Sequence, residues 1–371
     1  MRLEFVEAIN FRNLKGKIDL EPGLSILVGE NGQGKTNWLE AINVLAKTRS
    51  FKTGKIAETI RFGEDLAIVK GNVRQSQELH RMLQVNIQKT IKSCLVNGKQ
   101  ETTQRYLHEL HAVVFNADEL EIVRGQPDSR RKFLDGGIVS LHPPFTQTFT
   151  DYTKVLRQKN SLLQQAREKE MSVERAAEML EPWNEQMTAL AAKIHRGRTR
   201  FVERINEVLE KRLFGREELS IRYVSSLEGK GDLTDYAGLL AERLKLRVQA
   251  ELVAGHSLVG PHRDDMEVLF DGQDIRKFGS SGQQRSALLL LQLANITVFH
   301  ATRGEYPLFL LDDIDAELDH RRIGHLLEYL AGKTQTVVTT SKEGFVAEFG
   351  RSSRTIRIEN GMAAGKAGSA P

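Results

Sequence analysis

Apolar and polar positions alternate from the first residues, where Leu3, Phe5 and Val6 sit among charged neighbours, and residues 1–10 read as a strand. A short apolar run, Leu24-Ser25-Ile26-Leu27-Val28, reads as a buried strand. Residues 37–45 then place Trp38, Leu39, Ile42 and Leu45 on one helical face. Strand patterns at 66–73, 82–88 and 93–96, with the hairpin pair Asn97-Gly98, predict an antiparallel layer. Ala112 to Phe115 is a further buried strand, and Pro127 opens a helix. The pattern then changes. Phe145, Phe149, Tyr152, Leu156 and Leu163, and later Trp183, Met187, Leu190, Ile194, Gly197 and Phe201, recur with a period near 3.5. This predicts an antiparallel, coiled-coil-like helical arm, with a break at Pro182 before its second helix.

Strand patterns return after residue 256. A turn at 260–265 leads into a hairpin of 266–270 and 273–278 around Asp271-Gly272. A core helix at 286–300 follows, then strands at 306–311, 337–340 and 355–358. The expected organisation is α/β: a mixed sheet with an antiparallel layer, split by the inserted arm. The first lobe takes 1–115, the arm 116–255, the second lobe 256–362, and 363–371 are expected to be a disordered tail.

Between the strand at 24–28 and its helix lies Gly29-Glu30-Asn31-Gly32-Gln33-Gly34-Lys35-Thr36, which fits G-x-x-x-x-G-K-[ST]. The glycines let backbone N–H groups close round a phosphate, and the helix N-terminus adds partial positive charge. Lys35 is expected on the β- and γ-phosphates and the Thr36 hydroxyl on Mg2+, which makes ATP and Mg2+ the expected ligands. The apolar strand before Asp312-Asp313 complements this loop. Asp312 is expected to hold Mg2+, and Asp313 to orient or deprotonate the attacking water. Ser280-Ser281-Gly282-Gln283 opens a helix and offers a hydroxyl, unpaired N–H groups and the helix dipole, a second place for an anion.

Composition narrows the partners only slightly. The 371 residues carry a net charge of +4, which permits a polyanion without requiring one. Arg49, Lys52 and Lys55, interleaved with Phe51, are the first candidates for a DNA contact; Arg196, Arg198 and Arg200 on the arm are the next. A lone Cys94 excludes an intrachain disulfide and suits a reducing cytoplasm. Neither a leader pattern nor an apolar run long enough to span a bilayer is evident, so no membrane partner is expected.

Taken in order, 29–36, 280–283, Asp312-Asp313 and Ala316-Glu317-Leu318-Asp319 resemble the ATP-binding-cassette heads of the SMC and Rad50 kind. More narrowly, the chain resembles the RecF family of bacterial recombination and repair ATPases. The specific matches are 28–37, Arg49-Ser50-Phe51-Lys52-Thr53, Arg130-Arg131-Lys132-Phe133-Leu134-Asp135, Gly260-Pro261-His262-Arg263-Asp264-Asp265 and 312–319. The resemblance implies nucleotide contacts along Arg12, Asn13, Gly29 to Asn37, Gly282 and Gln283, with Lys35, Ser280 and Asp313 catalytic and Thr36, Asp312 and Asn116 at the metal. It implies an ATP-dependent homodimer in which Ser280 of one subunit faces Lys35 of the other. It also implies weak, DNA-stimulated hydrolysis, binding at duplex and single-strand DNA junctions, and RecR and RecO as partners in gap repair and the SOS response. Departures are Ala117 for a usual Pro, Gln126 for a small residue, Asn116 for a glutamine and Thr340 at the switch-histidine position. A structural DNA tether of the SMC kind would need longer arms than residues 145–214 supply, and a P-loop kinase would leave 280–283 and 316–319 without a role.

Overall fold

The computed structural model describes residues 1–75, 79–211, 218–350 and 353–364. The expected tail from 365 onward lies outside them. The chain forms two compact units, one of Met1–Leu120 with Leu291–Pro371 and one of Glu121–Leu290.

The first unit holds two six-stranded sheets. One is antiparallel, running in space 14–19, 2–11, 66–74, 80–88, 92–96, 99–101. The other places Leu24–Val28 between Arg354–Glu359 and Thr336–Thr340, with Leu308–Leu311 and Ala112–Phe115 beyond, all parallel; Met362–Ala363 adds an antiparallel edge. The helix Lys35–Lys47 joins the two sheets in one apolar core. Expected to bury one face, it buries Lys35 and every residue from Trp38 to Ala46. A helix covered all round has no solvent face to keep polar. The hairpin at Asn97-Gly98 forms as expected, with φ of 50° and 77°, values that Asn and Gly adopt at little cost.

In the second unit the arm is two long helices, Phe145–Glu168 and Val173–Leu209. Tyr152, Val155, Met187, Ala191 and Ile194 share a core cluster, with Phe149, Leu156, Trp183 and Leu190 packed on it. Gly197 lets the Phe145 ring pack close, since a Cβ there would lie 3.1 Å from it. The break expected at Pro182 does not occur. Pro182 lies inside the second helix, which buries Ala176 and Leu180 on one side of it and Met187 and Ala191 on the other. Packing on both sides offsets the roughly 3 kcal/mol that an interior proline costs. The actual turn is at 169–172, where Glu170 takes φ 48° and the Ser172 hydroxyl caps the second helix by accepting from the Arg175 N–H.

The hairpin expected at 266–278 is also shorter. Asp265–Phe270 pairs with Gln273–Asp274 for only two residues. The Asp274 carboxylate then accepts from the Arg276 N–H and starts a short helix, Ile275–Phe278. Leu219–Val224, expected within the arm, pairs along its whole length with Asp265–Phe270. The compact unit therefore runs to Leu290, whereas sequence patterning set the arm's end at 255. None of the described helices is long and apolar enough to cross a membrane.

Candidate nucleotide site

The phosphate loop leaves the carboxyl end of Leu24–Val28, a central parallel strand, where ligands bind in open α/β sheets. Its glycines have separate reasons. A Cβ at Gly29 would lie 2.4 Å from the Ile358 carbonyl oxygen. Gly34, the helix N-cap, takes φ 103°, which side chains rarely adopt. The Lys35 ammonium is folded back into its own loop and donates to the Gly29 and Glu30 carbonyls at 2.7 and 2.8 Å. Burial pushes its pKa down, opposed by the nearby carboxylates of Asp313, Asp312 and Asp315.

Two strands away, Asp312 leaves the carboxyl end of Leu308–Leu311. It is 9% exposed, and its Oδ1 accepts from the Thr36 hydroxyl at 2.9 Å and the Thr339 hydroxyl at 2.7 Å. Burial raises the Asp312 pKa, while those two hydrogen bonds oppose the shift. Asp313 is exposed, takes φ 49° and ψ 45°, and donates its N–H to the Thr339 hydroxyl. A non-glycine residue in this left-handed region is uncommon and clusters at functional sites. Hydroxyl and carboxylate oxygens are the hard donors Mg2+ takes, and Thr36 and Asp312 lie as close as two oxygens round one octahedral ion. Among the described residues no group of three or more His, Cys, Asp or Glu could hold a metal ion by itself. A cavity of about 230 Å³ opens here, walled by Asn31, Gly32, Gly34, Lys35, Thr36 and Asn37, with Asp313, Thr339 and Lys52.

Lys52, a DNA candidate on sequence, lies in this wall. Its ammonium donates to the Asn37 amide oxygen at 2.9 Å, and its charge opposes the upward shift of Asp312. Seventeen positions separate it from Lys35, and no motif marks the pairing; only the fold of its loop brings it round. Arg49 and Lys55 are exposed and do not line the cavity.

The remaining expected residues divide. Asn13 and Asn37 are joined by a 2.8 Å amide hydrogen bond beside Gly34. Arg12 forms a bidentate pair with buried Glu40, 2.9 and 3.0 Å, which raises the guanidinium pKa. The Gln33 side chain accepts from the Asn360 N–H instead of lining the cavity. Asn116 is 4% exposed, and its amide oxygen accepts from the Glu119 N–H at 2.9 Å, a local turn bond.

Ser280, Gly282 and Gln283 lie in the other unit, at the exposed start of the helix Ser281–Arg303. Gln283 Oε1 accepts from the Ser280 N–H at 2.8 Å, and the Ser280 hydroxyl accepts from the Gln283 N–H at 3.3 Å. That reciprocal arrangement is a capping box. Gly282 has neither a positive φ nor any atom within 4 Å of a built Cβ, so its own chain does not require a glycine there. Arg198, a second-choice DNA candidate, is buried and held bidentately by Asp135 at 2.8 and 2.9 Å.

Residues 2–364 match the family model described as the RecF/RecN/SMC N terminal domain. The chain is 35% identical over 365 residues to the DNA replication and repair protein RecF of Bacillus mycoides (strain KBAB4), covering 96% of each. It is 35% identical over 382 residues to that of Synechococcus sp. (strain JA-3-3Ab), covering all of both. A solved structure of the recombination mediator protein RecF-ATP in the RecFOR pathway superposes with a TM-score of 0.88 at 30% identity, over 98% of this chain and 96% of that one. An Smc head bound to the C-winged helix domain of ScpA shares the fold, with a TM-score of 0.53 at 16% identity over 98% and 96%. Matched end to end at this level of identity, the chain belongs to the RecF family of DNA replication and repair proteins.

Proposed function

We propose that the chain is an ATP-gated DNA-binding switch of recombinational gap repair, replication and SOS induction. The observation that carries this reading is the cavity lined by Lys35, Thr36, Asp313 and Lys52, with Asp312 bonded to Thr36 behind it. On ATP binding the Lys35 ammonium exchanges its loop carbonyls for phosphate oxygens, gaining charge-assisted bonds. Thr36 and Asp312 hold Mg2+, which neutralises phosphate charge. Asp313 orients the attacking water or takes its proton. A base on an exposed residue, one methylene shorter than glutamate, favours slow turnover, as a switch requires.

The helix start at Ser280 completes the site of a second copy, so ATP stabilises a homodimer through contacts made only in that state. An unexplained Gly282 on an exposed helix N-terminus supports this, because close approach of a partner's phosphate would exclude a side chain. Hydrolysis removes the bridging phosphate and opens the clamp. DNA, at duplex and single-strand junctions, is contacted by Arg49 and Lys55, and RecR and RecO act with the chain in the cytoplasm. The inserted helices form the arm between two head lobes.

Duplex affinity measured across a salt series, with and without ATP, tests the reading. Affinity should rise with ATP, and replacing Arg49 and Lys55 by Ala should flatten the salt slope by roughly two units, about 0.9 per lost phosphate contact. An ATP-independent affinity would remove the switch.

A further inference from the structure

Glu40 lies on the phosphate-loop helix, fully buried, with a carboxylate that needs partners to be tolerated there. It has them on two sides. Arg12, at the end of the first strand, donates to both carboxylate oxygens, and the Ser50 hydroxyl donates to Oε1 at 2.5 Å. Ser50 in turn accepts from the N–H groups of Lys52 and Thr53 at 2.9 and 3.0 Å. The loop is closed further on, where Thr53 bonds the Glu58 carboxylate and Arg12 donates to the Glu58 carbonyl at 2.9 Å. One buried carboxylate thus ties the phosphate-loop helix, the end of the first strand and the backbone of Lys52 into a single unit.

We propose that Glu40 is a positioning residue which, through Ser50, fixes the Lys52 ammonium on the phosphate cavity as a second cation beside Lys35. This deepens the nucleotide reading above and rests on it. Lys35 approaches from the loop side of the cavity. Lys52 bonds Asn37 and lines the same cavity as Asp313, so a terminal phosphate within reach of the hydrolytic carboxylate meets a second cation there. A cation placed there distinguishes ATP from ADP. Glu40 and Ser50 do not line the cavity, so their effect on nucleotide runs through Lys52 and Arg12.

The test is equilibrium binding of fluorescent ATP and ADP analogues to the full chain, for wild type, Lys52→Ala, Ser50→Ala, the Ser50→Ala/Lys52→Ala double variant and Glu40→Gln, with thermal melts of each. Lys52→Ala should lower the ATP-to-ADP affinity ratio about tenfold. Ser50→Ala should lower it several-fold in the wild-type background and leave it unchanged in the Lys52→Ala background, because a positioning residue has nothing left to position. Lys52→Arg should restore most of the ratio. Glu40→Gln should lower the ratio at least as far as Ser50→Ala. If it folds poorly, the Ser50–Lys52 cycle still decides. Additive losses for Ser50 and Lys52, or an unchanged ratio in Lys52→Ala, overturn the proposal. Failure of wild type to bind either analogue would instead overturn the nucleotide reading itself.

Discussion

The two units bury cations in opposite ways. In the helical unit, Arg130 is fully buried and bonds Asp265 at 2.6 and 3.0 Å, Arg198 bonds Asp135, and Lys159 bonds Glu251 at 2.7 Å. Spare donors are taken by carbonyls, of Gly125 for Arg130 and of Pro261 for Arg198. Residues 260–265, a motif without an assigned role in the sequence, belong to this network. Asp264 is fully buried and accepts from Tyr223 and from the Ser226 N–H, Asp265 takes Arg130, and His262 bonds Tyr152 at 2.7 Å. In the head unit, Lys35 is nearly as buried but bonds only carbonyls of its own loop, with the carboxylates close by and unbonded to it. A buried cation with a bonded carboxylate is neutralised in place. One held by loop carbonyls beside an open cavity retains charge for an anion to meet. Burial alone does not separate structure from function; the partner does.

The comparison breaks first if the arm's pairs prove dispensable. Arg198→Ala removes the charged hydrogen bonds to partly exposed Asp135 and the cation 4.0 Å from buried Asp264, a loss of about 2–3 kcal/mol. Urea denaturation should show that loss, with ATP affinity changed less than about twofold. Lys35→Ala should do the reverse. ATP affinity, read with a fluorescent analogue, falls on the order of 100-fold, since it removes charge-assisted phosphate bonds of about 1.5–3 kcal/mol each. Its thermal midpoint stays near wild type because no buried carboxylate loses a partner. A sharp drop in midpoint would put Lys35 with the arm's cations.

A smaller effect concerns pH. His111, 6% exposed against Phe299, is pushed down to about 3, mainly by burial and then by Arg303. Unfolded histidine titrates near about 6.5. Between those values the unfolded chain holds the extra proton, so stability falls as pH drops from about 6.5 toward 3. His262, held at about 4 by burial, acts in the same direction. His111→Phe should reduce the stability lost between pH 7 and 5 by about 2 kcal/mol, from roughly 1.5 pK units at 1.36 kcal/mol each. Parallel pH–stability curves for wild type and variant would contradict this.

Local signals in the chain were readable and non-local ones were not. The phosphate loop, its flanking strand and helix, and the strand before Asp312 are set by contiguous patterns, and each stands where the pattern put it. Asn97-Gly98 carried its own turn conformation. Pro182 misled because tertiary packing on both sides outweighs a local helix breaker. The place of Lys52 on the cavity was not legible, because the contacts around its loop join Glu40 to Ser50, ten positions on, and to Arg12, 28 positions back, and no spacing rule connects them. The capping box at Ser280 and Gln283 was legible as S-x-x-Q, a purely local reason for those two residues. It gives no reason for Gly282, which its own chain does not require to be glycine.

The central claim is that ATP joins two copies through Lys35 of one and the helix start at Ser280 of the other. Sedimentation velocity of the Asp313→Asn variant, which is expected to hold ATP without turnover, tests it most directly when set beside the same variant carrying Ser280→Arg. With ATP and Mg2+ the single variant should sediment as a dimer and with ADP as a monomer. The double variant should bind ATP with unchanged affinity and stay monomeric. Dimers of the double variant, or a mass indifferent to nucleotide, would contradict the account.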